Sequence, residues 1–240
     1  MPEYTSEFLR KQQVAEGTMA FHFRKPQGFD FRAGQAIDVT LPNPPETDAE
    51  GNVRTFSLAS SPEEPDLMVT TRMRDTAFKR VLKGAAPGLQ VKLDGPTGSL
   101  TLHANAQKAA VLMAGGIGIT PFRSIVLDAA AKKKAHPIYL FYSNRRPEDA
   151  AFLDELEQVA REYPNFRLVA TMTKISGSSR KWRGETGLLD KQKLQSHLDS
   201  LNGPIYYVAG PPAMVAAMRD MLVKAGVDED DIRTEDFPGY

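Results

Sequence analysis

The sequence predicts a β part followed by an α/β part, and three observations predict it. Up to residue 105, short alternating runs lie between Gly/Pro turns. Beyond it the rhythm lengthens to strand, helix, strand, helix. At the junction, residues 109–121 (AAVLMAGGIGITP) pass from a wholly apolar segment directly into Gly115, Gly116 and Gly118, and Thr120-Pro121 opens an apolar-periodic helix. Short strands separated by turn clusters read as an antiparallel barrel or sandwich. Strands alternating with helices imply a parallel sheet covered on both faces.

In the first part the alternating runs are 19–23, 36–41, 67–72 and 89–93, separated by turn clusters at 25–28, 42–45 and 95–98. In the second, strands are expected at 108–113, 138–142, 166–171 and 205–208, with helices at 121–132, 150–163, 191–198 and 212–225. The apolar-aromatic piece 232–237 can add an edge strand. There is no internal repeat and no low-complexity tract, so the expected division is residues 1–104 and 105–240.

The junction also carries chemistry. A buried parallel strand reads as a continuous apolar run. Glycines directly after it let backbone approach a ligand, and the following helix aims free N–H groups at an anion. That order suits a dinucleotide phosphate site, although the spacing is not G-x-G-x-x-G.

Composition removes several classes. Lys plus Arg and Asp plus Glu both number 30, for a net charge of zero, which argues against a general nucleic-acid binder. With no cysteine, disulfides, thiolate catalysis and Cys-ligated zinc or iron–sulfur clusters are excluded for this polypeptide. None of His22, His103, His136 and His197 has a metal-like partner spacing, so no metal site is expected. No apolar run approaches the ~18 residues of a membrane span, and no apolar stretch follows Met1; the expectation is a cytoplasmic chain without a membrane span.

Arg54-Thr55-Phe56-Ser57 combines a strand Arg, an aromatic two residues later on the same face, and a hydroxyl beside it. A guanidinium can grip phosphate bidentately, the ring can stack, and the hydroxyl can donate to a ring nitrogen. An ordinary strand with one surface Arg and one core Phe would look the same. These residues resemble the R-x-Y-S flavin motif of the ferredoxin–NAD(P) reductase family. Gly115 to Pro121 resembles that family's nicotinamide-nucleotide loop, Phe31-Arg32-Ala33-Gly34-Gln35 its F-x-x-G-Q, and Ala209-Gly210-Pro211-Pro212 its C-G-P motif. The four matches occur in family order.

The resemblance implies a six-stranded antiparallel FAD-binding β-barrel followed by a parallel-sheet α/β domain that binds NADPH or NADH. Arg54 and Thr55 would lie at the cofactor, with Arg54 on the FAD pyrophosphate, Phe56 against the flavin and Ser57 as the catalytic donor at flavin N5. Val69, Thr70 and Thr71 would supply backbone contacts to the pyrimidine edge. Thr76 and the backbone at Ala77 would hold the pyrophosphate where relatives place a Ser. Phe56 stands where the family has Tyr, and Ala209 where many relatives have Cys. Gly116, Gly118, Thr120 and Pro121 would sit at the nucleotide phosphates, and Gly210 and Pro211 at the nicotinamide half. Glu235 and Phe237 match a terminal Glu–aromatic spacing; Glu235 is a catalytic candidate, and either Phe237 or Tyr240 is the flavin cover.

Asn144, Arg145 and Arg146 after one strand, and Thr173 with Lys174 after the next, offer cations and hydroxyls to a 2′-phosphate. No acidic residue stands at those positions, which favours NADPH slightly over NADH. Trp182 reads as a loop anchor near the nucleotide. The function expected is hydride transfer from nicotinamide to FAD, with electrons passed to a separate ferredoxin-type partner. The alternatives are a small-molecule acceptor (quinone, flavin or ferric chelate) or an FAD-binding subunit of a larger complex.

Overall fold

The computed structural model describes residues 3–237. The first sheet is built from β1 (Glu3–Ala15), β2 (Thr18–Arg24), β3 (Ala36–Thr40), β4 (Val53–Ser57), β5 (Asp66–Arg72) and β6 (Gln90–Thr97). Its order is β4-β3-β6-β1-β2-β5, and every pairing is antiparallel. A bridge between Leu58 and Val69, with the Ala59 N–H donating to the Met68 carbonyl at 2.8 Å, joins the two edge strands and closes the barrel. Alternate residues point inward, as a pleated strand requires: Phe21 and Phe23 of β2 and Leu67 and Val69 of β5 are buried together with Phe8, Ile37 and Leu93. Helix α1 (Ala77–Gly84) adds Phe78 and Leu82 to that core. Thr76 starts it by accepting the Lys79 N–H, the local bond an N-cap hydroxyl supplies.

The second sheet contains β7 (Ala110–Gly115), β8 (Ile138–Asn144), β9 (Phe166–Met172), β10 (Glu185–Thr186), β11 (Ile205–Gly210) and β12 (Ile232–Asp236). Its order is β10-β9-β8-β7-β11-β12, parallel throughout. Every residue of β7 and β11 is buried, so both read as unbroken apolar runs. The chain grows outward from β7 on one side, then restarts at β11 on the other. The crevice between β7 and β11, at their carboxyl ends, is the switch point where open α/β sheets bind ligands.

Helices α2 (Ile119–Ala131), α3 (Leu153–Glu162), α4 (Lys191–His197) and α5 (Pro212–Lys224) cover the parallel sheet. Helix α3 begins later than its periodicity suggests. A one-turn helix at Pro147–Asp149 precedes it, and Phe152 at φ 61° breaks the two apart. Strand β1 escapes the sequence reading because its middle is exposed and polar. No helix among the described residues is long and apolar enough to cross a membrane.

Helix α2 is buried on nearly every side, which a helix sandwiched between two cores must be. Phe122, Ile125, Val126 and Ala129 pack into the α/β core, while Arg123 and Ser124 face the barrel. Arg123, 5% exposed, donates to the Ala59 carbonyl at 2.7 Å and to Glu64 at 3.0 and 3.2 Å. It also grips both oxygens of Glu155, on α3, at 2.6 and 2.7 Å. The Ser124 hydroxyl donates to the Ser60 carbonyl at 2.6 Å. Arg123→Met is expected to strand two carboxylates and the Ala59 carbonyl, lowering unfolding stability by about 2–3 kcal/mol. That is below the full cost of breaking a buried pair, because both glutamates are partly solvated. Denaturant titration checks it; a loss under about 0.5 kcal/mol would mean the knot contributes little.

Candidate active site

Two cavities meet where the barrel abuts the parallel sheet. The first, about 420 Å³, has its barrel wall in β4, from Arg54 to Ser57, and in Thr70, Thr71 and Arg72 at the end of β5. Arg74, Thr76 and Lys79 add to its barrel side, and Ile117, Thr120, Glu235 and Phe237 line it from the α/β part. The second, about 670 Å³, opens at the switch point, over Gly115, Gly116 and Pro211, and runs past Asn144 and Thr173. Arg72 and Arg74 line both.

The two domains touch across the first cavity through one pair of side chains. The Ser57 hydroxyl on β4 donates to Glu235 Oε1 on β12 at 3.1 Å, joining residues 178 apart in sequence. Register explains why Glu235 arrives there: β12 pairs with β11 so that Ala209 lies opposite Glu235, and β11 pairs with β7 so that Ala209 also lies opposite Ala114. The sheet's carboxyl edge thereby delivers the carboxylate to the barrel. Burial pushes the Glu235 carboxyl above the ordinary range; the Ser57 bond pulls the other way and the Asp236 charge adds to the rise.

Residues 112–220 match the family model of the oxidoreductase NAD-binding domain. Phenol hydroxylase P5 protein of Acinetobacter pittii is 27% identical over 238 residues, covering 98% of this chain; the chain spans 65% of that relative's length. A ferredoxin–NADP+ reductase from Neisseria gonorrhoeae, solved with FAD and NADP bound, superposes with TM-score 0.79 at 21% identity, covering 98% of both chains. Phthalate dioxygenase reductase superposes at 0.73 with 23% identity, covering 98% of this chain and 68% of its own. The chain has the two-domain fold of these reductases. The barrel is that fold's first domain and the parallel sheet its second.

Within this reductase fold, Arg54, Thr55, Phe56, Ser57, Thr70, Thr71, Thr76, Thr120, Glu235 and Phe237 come together at the first cavity. Gly116, Asn144, Arg145, Thr173 and Pro211 come together at the second. Others go elsewhere. Val69, expected to contribute through its backbone, has its side chain in the barrel core, and Pro121 is buried in α2. Arg146 is committed to Asp149 at 2.8 Å and to Glu16 of the barrel at 2.7 Å. Lys174 lines neither cavity; its backbone N–H donates to the Arg145 carbonyl at 2.8 Å. An acid from outside those positions stands at the second cavity: Asp149 lines it, paired with Arg146. Trp182 lies on the other side of the sheet, in a groove with Leu153, Arg161 and Leu168, and donates to the Glu185 carbonyl at 2.7 Å. Tyr240 lies outside the described residues.

Two of the glycines also meet a packing requirement. A Cβ on Gly118 would overlap the Ala209 carbonyl, and one on Gly210 would meet the Gly115 backbone at 3.0 Å. At these two positions neighbouring backbone fills the space a side chain would need. Sequence reasoning missed Arg72, Arg74 and Lys79, although two arginines spaced by two at a strand end already share a face.

Several groups in the reductase fold suit the cofactors it implies. The Thr70 hydroxyl is buried at the first cavity without a hydrogen-bond partner, and so is the Asn144 side-chain amide at the second; buried polar groups of this kind call for a partner. Arg54, Arg72, Arg74 and Lys79 all line the first cavity, with Glu50 among them. Lys79 is pushed below its ordinary range by burial and by the Arg74 and Arg54 charges. Such a cluster fits an anion. Phe56 packs on Phe78 with centroids 6.0 Å apart, leaving an aromatic wall for a ring system.

The Glu235 shift fixes the sign of a pH effect. A carboxyl raised in the folded state contributes stability that is full at low pH and lost as pH rises through the folded value. Glu235→Gln is therefore expected to be more stable than the parent at pH 7 and to lose that advantage below about pH 4. Denaturant midpoints measured across that range check it; an advantage independent of pH would contradict a raised carboxyl.

Proposed function

We propose that the chain is an FAD-dependent NAD(P)H oxidoreductase whose flavin lies in the first cavity and whose nicotinamide coenzyme lies in the second. The observation that carries this reading is that two cavities sharing Arg72 and Arg74 open side by side at the domain junction, and that the first is lined by Ser57 and Glu235, one residue from each domain, 3.1 Å apart. When bound, FAD supplies hydride acceptance from the nicotinamide and onward delivery of electrons. The chain's own residues bind, orient and manage protons. Arg54, Arg72, Arg74 and Lys79 hold phosphate charge in the first cavity. Thr70 and Thr71 meet polar ring edges, and Phe56 and Phe237 bound the ring's faces. The Phe237 N–H donates to the Gly210 carbonyl at 3.0 Å, which ties this cover to the nucleotide side.

Ser57 offers a donor at the reacting edge, and Glu235, able to hold a proton to higher pH than an exposed carboxyl, sits behind it. The pair can supply or withdraw a proton where the domains meet. At the second cavity, Gly116, Pro211 and the Asn144 amide serve the coenzyme. Arg145 is the one exposed cation of the Arg145-Arg146 pair that reaches it, since Arg146 is already paired. With Asp149 neutralised, this wall favours NADPH slightly.

The acceptor proposed is a separate ferredoxin-type iron–sulfur protein. Two comparisons support it: the phthalate dioxygenase reductase structure is titled for electron transfer from pyridine nucleotides to [2Fe-2S], and the Acinetobacter relative is a phenol hydroxylase protein. These 240 residues contain no cysteine, so a cluster on the electron path lies outside them.

The purified chain, loaded with FAD and mixed anaerobically with NADPH or NADH, should bleach its flavin absorbance. Ser57→Ala should slow that step roughly 10- to 1,000-fold, the usual cost of one donor aimed at developing charge, while leaving FAD bound. Unchanged stopped-flow rates would remove Ser57 from the reaction, and failure of the parent to bind any flavin would end the reading. Added ferredoxin should then accelerate cytochrome c reduction; no stimulation by any ferredoxin tested would point to a small-molecule acceptor.

A further inference from the structure

The segment 41–52 between β3 and β4 carries no motif, yet it reaches the first cavity. Asp48 Oδ2 accepts the backbone N–H of Ala77, the first residue of α1, at 2.8 Å. Asp48 Oδ1 accepts Arg54 Nη2 at 3.3 Å. The Glu50 carboxylate lies 2.8 Å from the same nitrogen, and Arg54 Nη1 donates to the carbonyls of Glu50, Gly51 and Val53 at 2.9, 3.1 and 2.7 Å. Glu46 fastens the loop to α1 through Arg80 at 3.0 and 3.2 Å. One loop carboxylate thus joins the helix N–H and the guanidinium that the flavin reading gives to phosphate.

The remaining charges agree. Arg72, Arg74 and Lys79 line the same cavity; among the described residues no carboxylate is in direct ion-pair contact with them, though Glu50 acts on Lys79 and Arg72 on Asp149 at longer range. The bond from Ala77 holds the Asp48 carboxyl below the ordinary range, so Asp48 is a carboxylate at neutral pH. A helix N-terminus and a guanidinium bind a carboxylate and a phosphate by the same physics. They cannot serve both at once, and the two anions repel at contact distance.

We propose that Asp48 is an internal anion that occupies the phosphate corner in the ligand-free chain and must leave it when a phosphate-bearing flavin binds. Asp48 then sets affinity for the phosphate end of the cofactor and leaves affinity for its ring untouched. The proposal rests on the flavin reading above and adds to it the residue that tunes retention. It also names what moves: the strap 41–52, tied to α1 through Glu46 and to β4 through Arg54, swings outward as the phosphates arrive.

The test compares FAD and riboflavin, which share a ring but not a phosphate, on the full chain and on Asp48→Asn. Asparagine keeps an oxygen for the Ala77 N–H, so the helix start survives, while the charge is gone. Fluorescence titration should show FAD binding about 10-fold tighter to the variant, with riboflavin unchanged within about twofold. On the unsubstituted chain, Glu-C protease should cut after Glu46 and Glu50 faster with FAD present, and riboflavin should not have that effect. Unchanged FAD affinity in the variant, equal tightening of riboflavin, or FAD-independent cleavage would each overturn the proposal while the flavin reading stands. Binding of neither flavin to either chain would overturn the flavin reading and this proposal with it.

Discussion

The buried guanidinium of Arg123 fixes how the barrel and the parallel sheet face one another, and the site exists only in that relation. Its partners come from the barrel (Ala59 and Glu64) and from α3 (Glu155). Arg123 itself stands one turn beyond the loop that closes the cavity with Thr120. Burying a guanidinium is costly unless its donors are satisfied; here they meet three separate acceptors, so alternative docking angles would leave some unmet. That makes the interface directional in a way apolar packing is not. Helix α2 converts this direction into position, because Thr120 at its first turn faces the first cavity while Phe122, Ile125 and Val126 anchor it on the sheet.

Fixed docking also sets the charge balance at the site. Formal charges cancel over the whole chain, yet Arg54, Arg72, Arg74 and Lys79 converge on one cavity. Among the described residues, the carboxylates bonded to that cluster are Asp48 and Glu50, both from a single loop, acting on Arg54. Lys79 registers the surplus directly, since neighbouring cations add to burial in making its ammonium harder to keep charged. A site so arranged is prepared for an anion of more than one charge. The placement of Arg72 and Arg74 at both cavities extends that preparation to two anionic ligands lying side by side.

Much of this was legible in the sequence, and the residues show why. The apolar run of β7 and the glycines after it announced a buried parallel strand, and the strand–helix alternation beyond it announced the sheet. Arg54 to Ser57 and Glu235 could be named because each sits in a local pattern. Asp48, Arg74 and Lys79 could not, because their roles come from the path of a loop and the start of a short helix relative to a strand folded elsewhere. Arg146 misled for a related reason. Its place after β8 suggested a ligand contact, while its guanidinium was claimed by Asp149 three residues on and by Glu16 of the barrel. Charge at a loop position is visible in sequence; whether that charge is already spent is a property of the fold.

The glycines carry the same lesson further. A glycine-rich loop after a strand is commonly read as room for a ligand, yet at Gly118 and Gly210 the missing side chain is replaced by backbone of the adjoining segment. A Cβ on Gly210, which ends β11, would meet the Gly115 backbone at the end of β7, and one on Gly118, in the turn after β7, would strike the Ala209 carbonyl of β11. That approach is what brings β12, hydrogen-bonded to the far side of β11, near enough to set Glu235 beside Ser57. A methyl group at Gly118 would press on the backbone of Ala209, the residue that lies opposite Glu235 in β12. The glycine motif and the Ser57–Glu235 pair, far apart in sequence, are two ends of one steric constraint.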